Sequence, residues 1–98
     1  MKSKDLISIA KKFGTPTYVY DADKIKNQYN RLINSFKSVE NLKINYAVKA
    51  LSNISILKYI NSLGSGLDTV SIQEVMIGIK AGFPVEKIIY TPNGVSFF

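Results

Sequence analysis

Lys49 closes the run Lys43-Ile44-Asn45-Tyr46-Ala47-Val48-Lys49, whose β-branched and aromatic residues read as a short strand. A lysine at the end of a buried strand is a candidate nucleophile. Desolvation disfavours the ammonium form, lowers the pKa and frees the amine, which is the state a carbonyl-trapping lysine needs. Alternation sets Ile44, Tyr46 and Val48 on one face and Asn45, Ala47 and Lys49 on the other. The first set suits packing against a helix, and the second is small near its end and leaves room beside the amine. The alternative for Lys49 is a side chain that only snorkels from a strand end into water. With no cysteine and no histidine in the chain, disulfides, thiolate chemistry and an ordinary zinc site are not expected here.

The elements that must position this lysine follow from the flanking pattern. Ser3 to Phe13 reads as a helix with Ser3 as N-cap, apolar residues at Leu6, Ile9, Ala10 and Phe13, and Gly14 as its stop. Thr15-Pro16 enforces an extended backbone, and Thr17 to Tyr20 then reads as a strand. Asp21 can cap a helix with the stripe Ile25, Tyr29, Leu32, Ile33 and Phe36. After Lys49, Ser52 or Asn53 caps a helix carrying Ile54, Leu57, Ile60 and Leu63, stopped at Gly64. Gly66 to Ser71 is a second strand. Ser71 and Glu74 form a capping box, each satisfying the other's orphan amide. The helix they open is expected to bury Ile72, Val75, Met76 and Ile79 and to end at Gly82. Ile88 to Thr91 forms a third strand, broken by Pro92-Asn93-Gly94.

The three strands start about twenty-two residues apart with a helix in each gap, a βαβαβ pattern that gives neighbouring parallel strands. No Gly-x-Gly-x-x-Gly follows the first strand, so a dinucleotide fold is not indicated. Polar groups collect instead at strand C-termini: Lys49, Ser71, Thr91 and Asn93. That is where the active site of a (β/α)8 barrel lies, yet such a barrel takes roughly 250 residues, so three units read as a barrel cut short.

Composition narrows the function classes. An apolar share of 46% with 20% charged residues is ordinary for a folded globular chain of 98 residues. Twelve of the thirteen basic residues are lysines scattered from Lys2 to Lys87, without aromatic interleaving, so the net charge of +6 reads as solvated helix faces and not as a nucleic-acid site. No apolar run approaches the roughly 20 residues of a membrane span. The segment after Met1-Lys2-Ser3-Lys4-Asp5 lacks the apolar core and cleavage site of a signal peptide, and a cytoplasmic location is the default.

Four blocks carry a family resemblance: Phe13-Gly14-Thr15-Pro16-Thr17-Tyr18-Val19-Tyr20-Asp21, Tyr46-Ala47-Val48-Lys49-Ala50, Gly66-Leu67-Asp68-Thr69-Val70-Ser71 and Ala81-Gly82-Phe83-Pro84. In this order and at these distances they resemble the N-terminal part of the diaminopimelate decarboxylase family, fold-type III enzymes dependent on pyridoxal 5'-phosphate. The resemblance runs from Ile9 to Phe98. It implies an α/β fold, the first three or so units of an alanine-racemase-like (β/α)8 barrel. Residues 1–21 would then be an N-terminal helix and a strand of a β-domain, and residues 22–98 the incomplete first part of the pyridoxal-phosphate barrel.

The resemblance further implies that Lys49 forms the internal aldimine with pyridoxal phosphate, with Ala47 lining the cofactor. The reaction would be decarboxylation of meso-diaminopimelate to L-lysine, the last step of lysine biosynthesis, in a homodimer. Asp68 matches an acid near the cofactor lysine in related decarboxylases, against the plainer reading of a strand-end aspartate bonded to backbone. Glu74 also matches a family acid, but the capping box accounts for it. Where the family continues Lys-Ala-Asn, this chain has Leu51, with an asparagine only at Asn53. That leaves without a residue any contact the family assigns to the asparagine. The phosphate loop, the partner of the ring nitrogen and the partner-subunit region would lie beyond Phe98, so the segment by itself is expected to be inactive. Other readings are an ornithine, arginine or carboxynorspermidine decarboxylase or a racemase of the same fold type, or a non-catalytic pyridoxal-phosphate-binding barrel.

Overall fold

Side-chain caps set most of the helix starts. The computed structural model describes residues 1–92, and Asn93, placed by the sequence pattern among the strand-end polar groups, lies outside them. Helix α1 spans Ser3–Phe13, with Lys2 and not Ser3 as its N-cap; the Lys2 amide donates to Asp5 Oδ2 at 3.2 Å. Helix α2 spans Ala22–Ser35 and is capped by Asp21, which accepts the Lys24 amide at 3.2 Å. Strand β1 is Asn45–Ala47, followed at once by a single 3-10 turn, Val48–Ala50. Helix α3, Ile54–Ser62, is capped by Asn53, whose Oδ1 accepts the amides of Ser55 at 2.9 Å and Ile56 at 3.2 Å. Strand β2 is Gly66–Thr69, helix α4 is Ile72–Lys80, and strand β3 is Ile88–Tyr90 after a 3-10 turn at Val85–Lys87. Positive φ angles of 99° at Gly64 and Gly82 carry the chain out of α3 and α4, as glycine permits.

The sheet is fully parallel in the order β1-β2-β3. Asn45, Tyr46 and Ala47 pair with Gly66, Leu67 and Asp68, and Leu67, Asp68 and Thr69 pair with Ile88, Ile89 and Tyr90. Register partners in a parallel sheet share a face, so Tyr46, Leu67, Thr69 and Ile88 look one way and Ala47, Asp68 and Ile89 the other. The first face meets the helices. Leu67 and Thr69 are fully buried there, within a core of Val48, Leu57, Ile60, Leu67, Ala81 and Phe83. Helix α4 comes close because Gly78 has no side chain: a Cβ there would stand 2.5 Å from Leu67 Cδ2.

Besides the cap of α1, other expectations change, and the second and third strands end at Thr69 and Tyr90 instead of Ser71 and Thr91. Thr17 to Tyr20 forms no strand, because a strand needs a hydrogen-bonded neighbour and none among the described residues lies beside it; Tyr18 is 90% exposed. The first strand stops at Ala47 instead of Lys49, because the chain leaves the ladder in the 3-10 turn Val48–Ala50 while β2 runs on to Thr69. On α4, Ile72, Met76 and Ile79 are exposed, and Gly78 is the buried residue because it faces Leu67. On α2, Ile25 and Tyr29 turn inward, while Leu32, Ile33 and Phe36 stay exposed. No helix among the described residues is long and apolar enough to cross a membrane.

Candidate functional site

The C-terminal ends of β1, β2 and β3 lie side by side, and the chemistry-bearing residues are there. Ala47 ends β1, and its register partner on β2 is Asp68. Ile89 pairs with Asp68 from the other side, and Thr91 lies two residues beyond it. Of the residues in the three strands, Asp68 is the one carboxylate.

Lys49 sits in the 3-10 turn that leaves β1, which Leu51 closes by donating its amide to Val48 O at 3.0 Å. The turn is anchored from below, because Val48 is completely buried in the core. It is anchored again by the Tyr46 hydroxyl, which donates to Leu51 O at 3.0 Å. Burial pushes the Tyr46 phenol above its ordinary pKa, and the nearby Tyr20 phenol adds to the effect. Lys49 itself is exposed, which corrects the expectation of a buried strand-end lysine: the ladder ends before it, and the turn lifts it off the sheet. Among the described residues its amine makes neither a hydrogen bond nor an ion pair; the ion pair found there joins the N-terminal amine to Asp21 at 3.3 Å.

Asp68 is half-buried, and its carboxylate accepts a side-chain bond, with the Thr91 hydroxyl 3.0 Å from Oδ1. The expected alternative, a bond to backbone, is absent among the described residues. The Thr91 amide also donates to Thr69 O at 2.8 Å, which carries the β2–β3 pairing past the end of β3. Ser71 and Glu74, at the same end, are occupied with the start of α4: Ser71 Oγ accepts the Glu74 amide at 3.2 Å, and Glu74 Oε1 accepts the Val70 amide at 2.8 Å. The sequence pattern places Thr91 among the strand-end polar groups without giving it a partner. The β2–β3 register is what joins it to Asp68.

This arrangement suits an aldehyde cofactor that attaches to an amine. It offers a primary amine with no competing partner among the described residues, a methyl-sized residue at the end of the strand that leads into its turn, and a carboxylate one strand across from that residue to balance positive charge. The residues therefore fit pyridoxal phosphate. A concavity of about 670 Å³ lies beside β1 between α2 and α3; it is apolar, formed by residues such as Ile25, Tyr29 and Leu51, and Ala47 lines it but neither Lys49 nor Asp68 does.

Comparison with known proteins gives the family. The family model described as pyridoxal-dependent decarboxylase, pyridoxal binding domain, matches residues 22–96. The chain is 36% identical over 92 residues to a diaminopimelate decarboxylase of Methanothermobacter thermautotrophicus, covering 93% of this chain and 22% of that protein. It is 45% identical over 86 residues to one of Helicobacter pylori, covering 88% of this chain and 21% of that protein. The diaminopimelate decarboxylase of M. jannaschii, solved with L-lysine, superposes with a TM-score of 0.84 at 39% identity, covering 90% of this chain and 21% of the other. A variant of the Helicobacter pylori enzyme, also with L-lysine, gives 0.81 at 38% identity, covering 97% and 23%. The chain thus spans about a fifth of the length of the curated relatives it matches.

Proposed function

Since the chain belongs to the pyridoxal-dependent decarboxylases, through their pyridoxal-binding domain, we propose that Lys49 is the cofactor attachment site of an enzyme that decarboxylates meso-diaminopimelate to L-lysine. The observation that carries the reading is the Lys49 amine, without a partner among the described residues, on a turn fixed to the C-terminal edge of a parallel sheet, beside the Ala47–Asp68 pair. The substrate follows from relatives named diaminopimelate decarboxylases and from similar structures that hold L-lysine.

When bound, pyridoxal phosphate supplies the electron sink that carbon dioxide loss requires. The chain's own residues prepare the place. Val48 and the Tyr46–Leu51 bond hold the turn rigid, so that Lys49 offers its amine from a fixed base. Ala47 leaves space where a larger side chain would intrude. Asp68 places a negative charge on the same face of the sheet, where it stabilises positive charge on a nearby nitrogen.

In the same proposal, β1, β2 and β3 are the first three strands of an alanine-racemase-like (β/α)8 barrel. Residues 1–21 belong with a β-domain, residues 22–98 with the barrel, and the active protein is a homodimer. The sequential parallel order and the structural likeness support this reading.

The test is borohydride reduction of the cofactor-loaded protein followed by peptide mapping. The label is expected on Lys49, and a label on Lys43 or Lys58, or none, overturns the assignment. Lys49→Ala should abolish carbon dioxide release from meso-diaminopimelate while the circular dichroism of the protein is retained. Faster turnover of ornithine or arginine than of meso-diaminopimelate would overturn the substrate.

A further inference from the structure

Thr91 follows β3 and stands over the end of β2, where it makes two separable contacts. Its amide donates to Thr69 O at 2.8 Å, and this bond ties the chain after β3 to β2. Its hydroxyl lies 3.0 Å from Asp68 Oδ1 and 3.2 Å from Thr69 O. A hydroxyl has one proton to give. Thr69 O already accepts the Thr91 amide, whereas Asp68 receives no other donor among the described residues. A bond to an ionised acceptor is roughly twice as strong as a neutral one, so the proton belongs to the carboxylate.

Among the described residues nothing else fixes Asp68. Its register partners are Ala47 and Ile89, whose side chains offer no donor. Without the hydroxyl, the carboxylate is free to exchange among staggered rotamers that move its charge by ångströms. Attraction for a positive nitrogen falls with distance, so an unfixed carboxylate stabilises it less.

We propose that Thr91 is a positioning residue for the cofactor end of the sheet: its hydroxyl fixes the Asp68 carboxylate at the C-terminal edge from which Lys49 leaves, so that its charge acts on the Lys49 nitrogen from one position. This rests on reading Lys49 as the attachment site. The contact is 23 residues apart in sequence and closes across the end of the β2–β3 pair. It is distinct from the backbone tie, which any residue but proline at this position keeps.

That distinction supplies the test. Thr91→Val keeps the shape and the amide bond but removes the hydroxyl, and Thr91→Ser keeps the hydroxyl. Affinity for pyridoxal phosphate is measured by absorbance titration of the protein, and each sample is then reduced with borohydride and mapped. Thr91→Val is expected to weaken binding about tenfold, the loss of one hydrogen bond to a charged group. Thr91→Ser should stay within about twofold of the parent, and Thr91→Val should add nothing in an Asp68→Asn background. Parent-like affinity in Thr91→Val, or a full tenfold loss that persists in Asp68→Asn, overturns the proposal while the label on Lys49 stands. A label on another lysine in the parent overturns the attachment reading and this proposal with it, so the two failures are told apart by the peptide map.

Discussion

Glu74 reaches back past the residue that caps its own helix, and its Oε1 accepts the amide of Val70 at 2.8 Å. Ser71 Oγ meanwhile accepts the Glu74 amide at 3.2 Å. A reciprocal capping box would have returned the glutamate to the Ser71 amide. Here the two bonds serve different donors, so they lock the end of β2 to the first turn of α4 as two separate ties.

Independence makes the first prediction. Ser71→Ala should destabilise the protein by about 1 kcal/mol, the usual loss when a cap is removed. Glu74→Gln should cost less than about 0.5 kcal/mol, because the amide oxygen can still accept from Val70. Glu74→Ala should add to Ser71→Ala within about 0.5 kcal/mol. Urea melts of the single and double variants check this. A double variant no less stable than Ser71→Ala alone would show one coupled box.

The glycines at two close approaches should respond unequally to a methyl group. At Gly66 a Cβ would stand 2.9 Å from the backbone oxygen of Lys87 and collide with the Asn45 side chain. A backbone carbonyl cannot turn aside, and Gly66→Ala should cost about 2–3 kcal/mol. At Gly78 the obstacle is Leu67 Cδ2, the end of a side chain, and alanine in a helix regains up to about 1 kcal/mol over glycine. The net loss for Gly78→Ala should be about 1 kcal/mol. Equal midpoints in urea for the two variants would contradict this ranking.

Acid should fray α2 before it disrupts the sheet. The Lys24 amide, first, and then the N-terminal amine hold the Asp21 carboxyl below its ordinary pKa. A depressed carboxyl contributes stability that is complete above the ordinary value of 3.8 and lost as pH falls through the folded value. Asparagine caps a helix without titrating. Helical circular dichroism recorded from pH 5 downward should therefore fall more in the parent than in Asp21→Asn. Identical acid profiles would remove Asp21 as the cause.

Helix limits were legible in the sequence because they are set by neighbours a few residues away. Asp21, Asn53 and Ser71 each cap the helix their position announces, and Asn53 does so with two amides. The asparagine that departs from the family's Lys-Ala-Asn pattern therefore has a structural task of its own. Strand lengths were not legible, because a ladder ends where either chain turns away, and β1 stops at Ala47 where its own 3-10 turn begins. Nor could pattern choose the buried side of α4: Ile72, Met76 and Ile79 are as apolar as Val75, and the choice falls to the close approach of Gly78 to Leu67. At the site, the amine and the acid could be picked out by residue type. The Thr91–Asp68 bond could not, since it spans two strands whose register the sequence does not state.

Ala47, Asp68 and Ile89 stand in one row across the sheet, and each comes from a different strand of the chain. Their neighbours Tyr46, Leu67 and Ile88 form the adjacent row on the opposite face, against the helices. Evolution can therefore revise the chemistry of the exposed row one strand at a time, by point substitution, while the core row keeps the fold. Insertions and deletions are treated differently. One residue added within β2 ahead of Leu67 would turn Asp68 into the core and Leu67 out to water, exchanging both duties at once. Divergence among descendants of such a chain is channelled into substitutions within strands and length changes in loops, so that new specificities can arise without the fold being rebuilt.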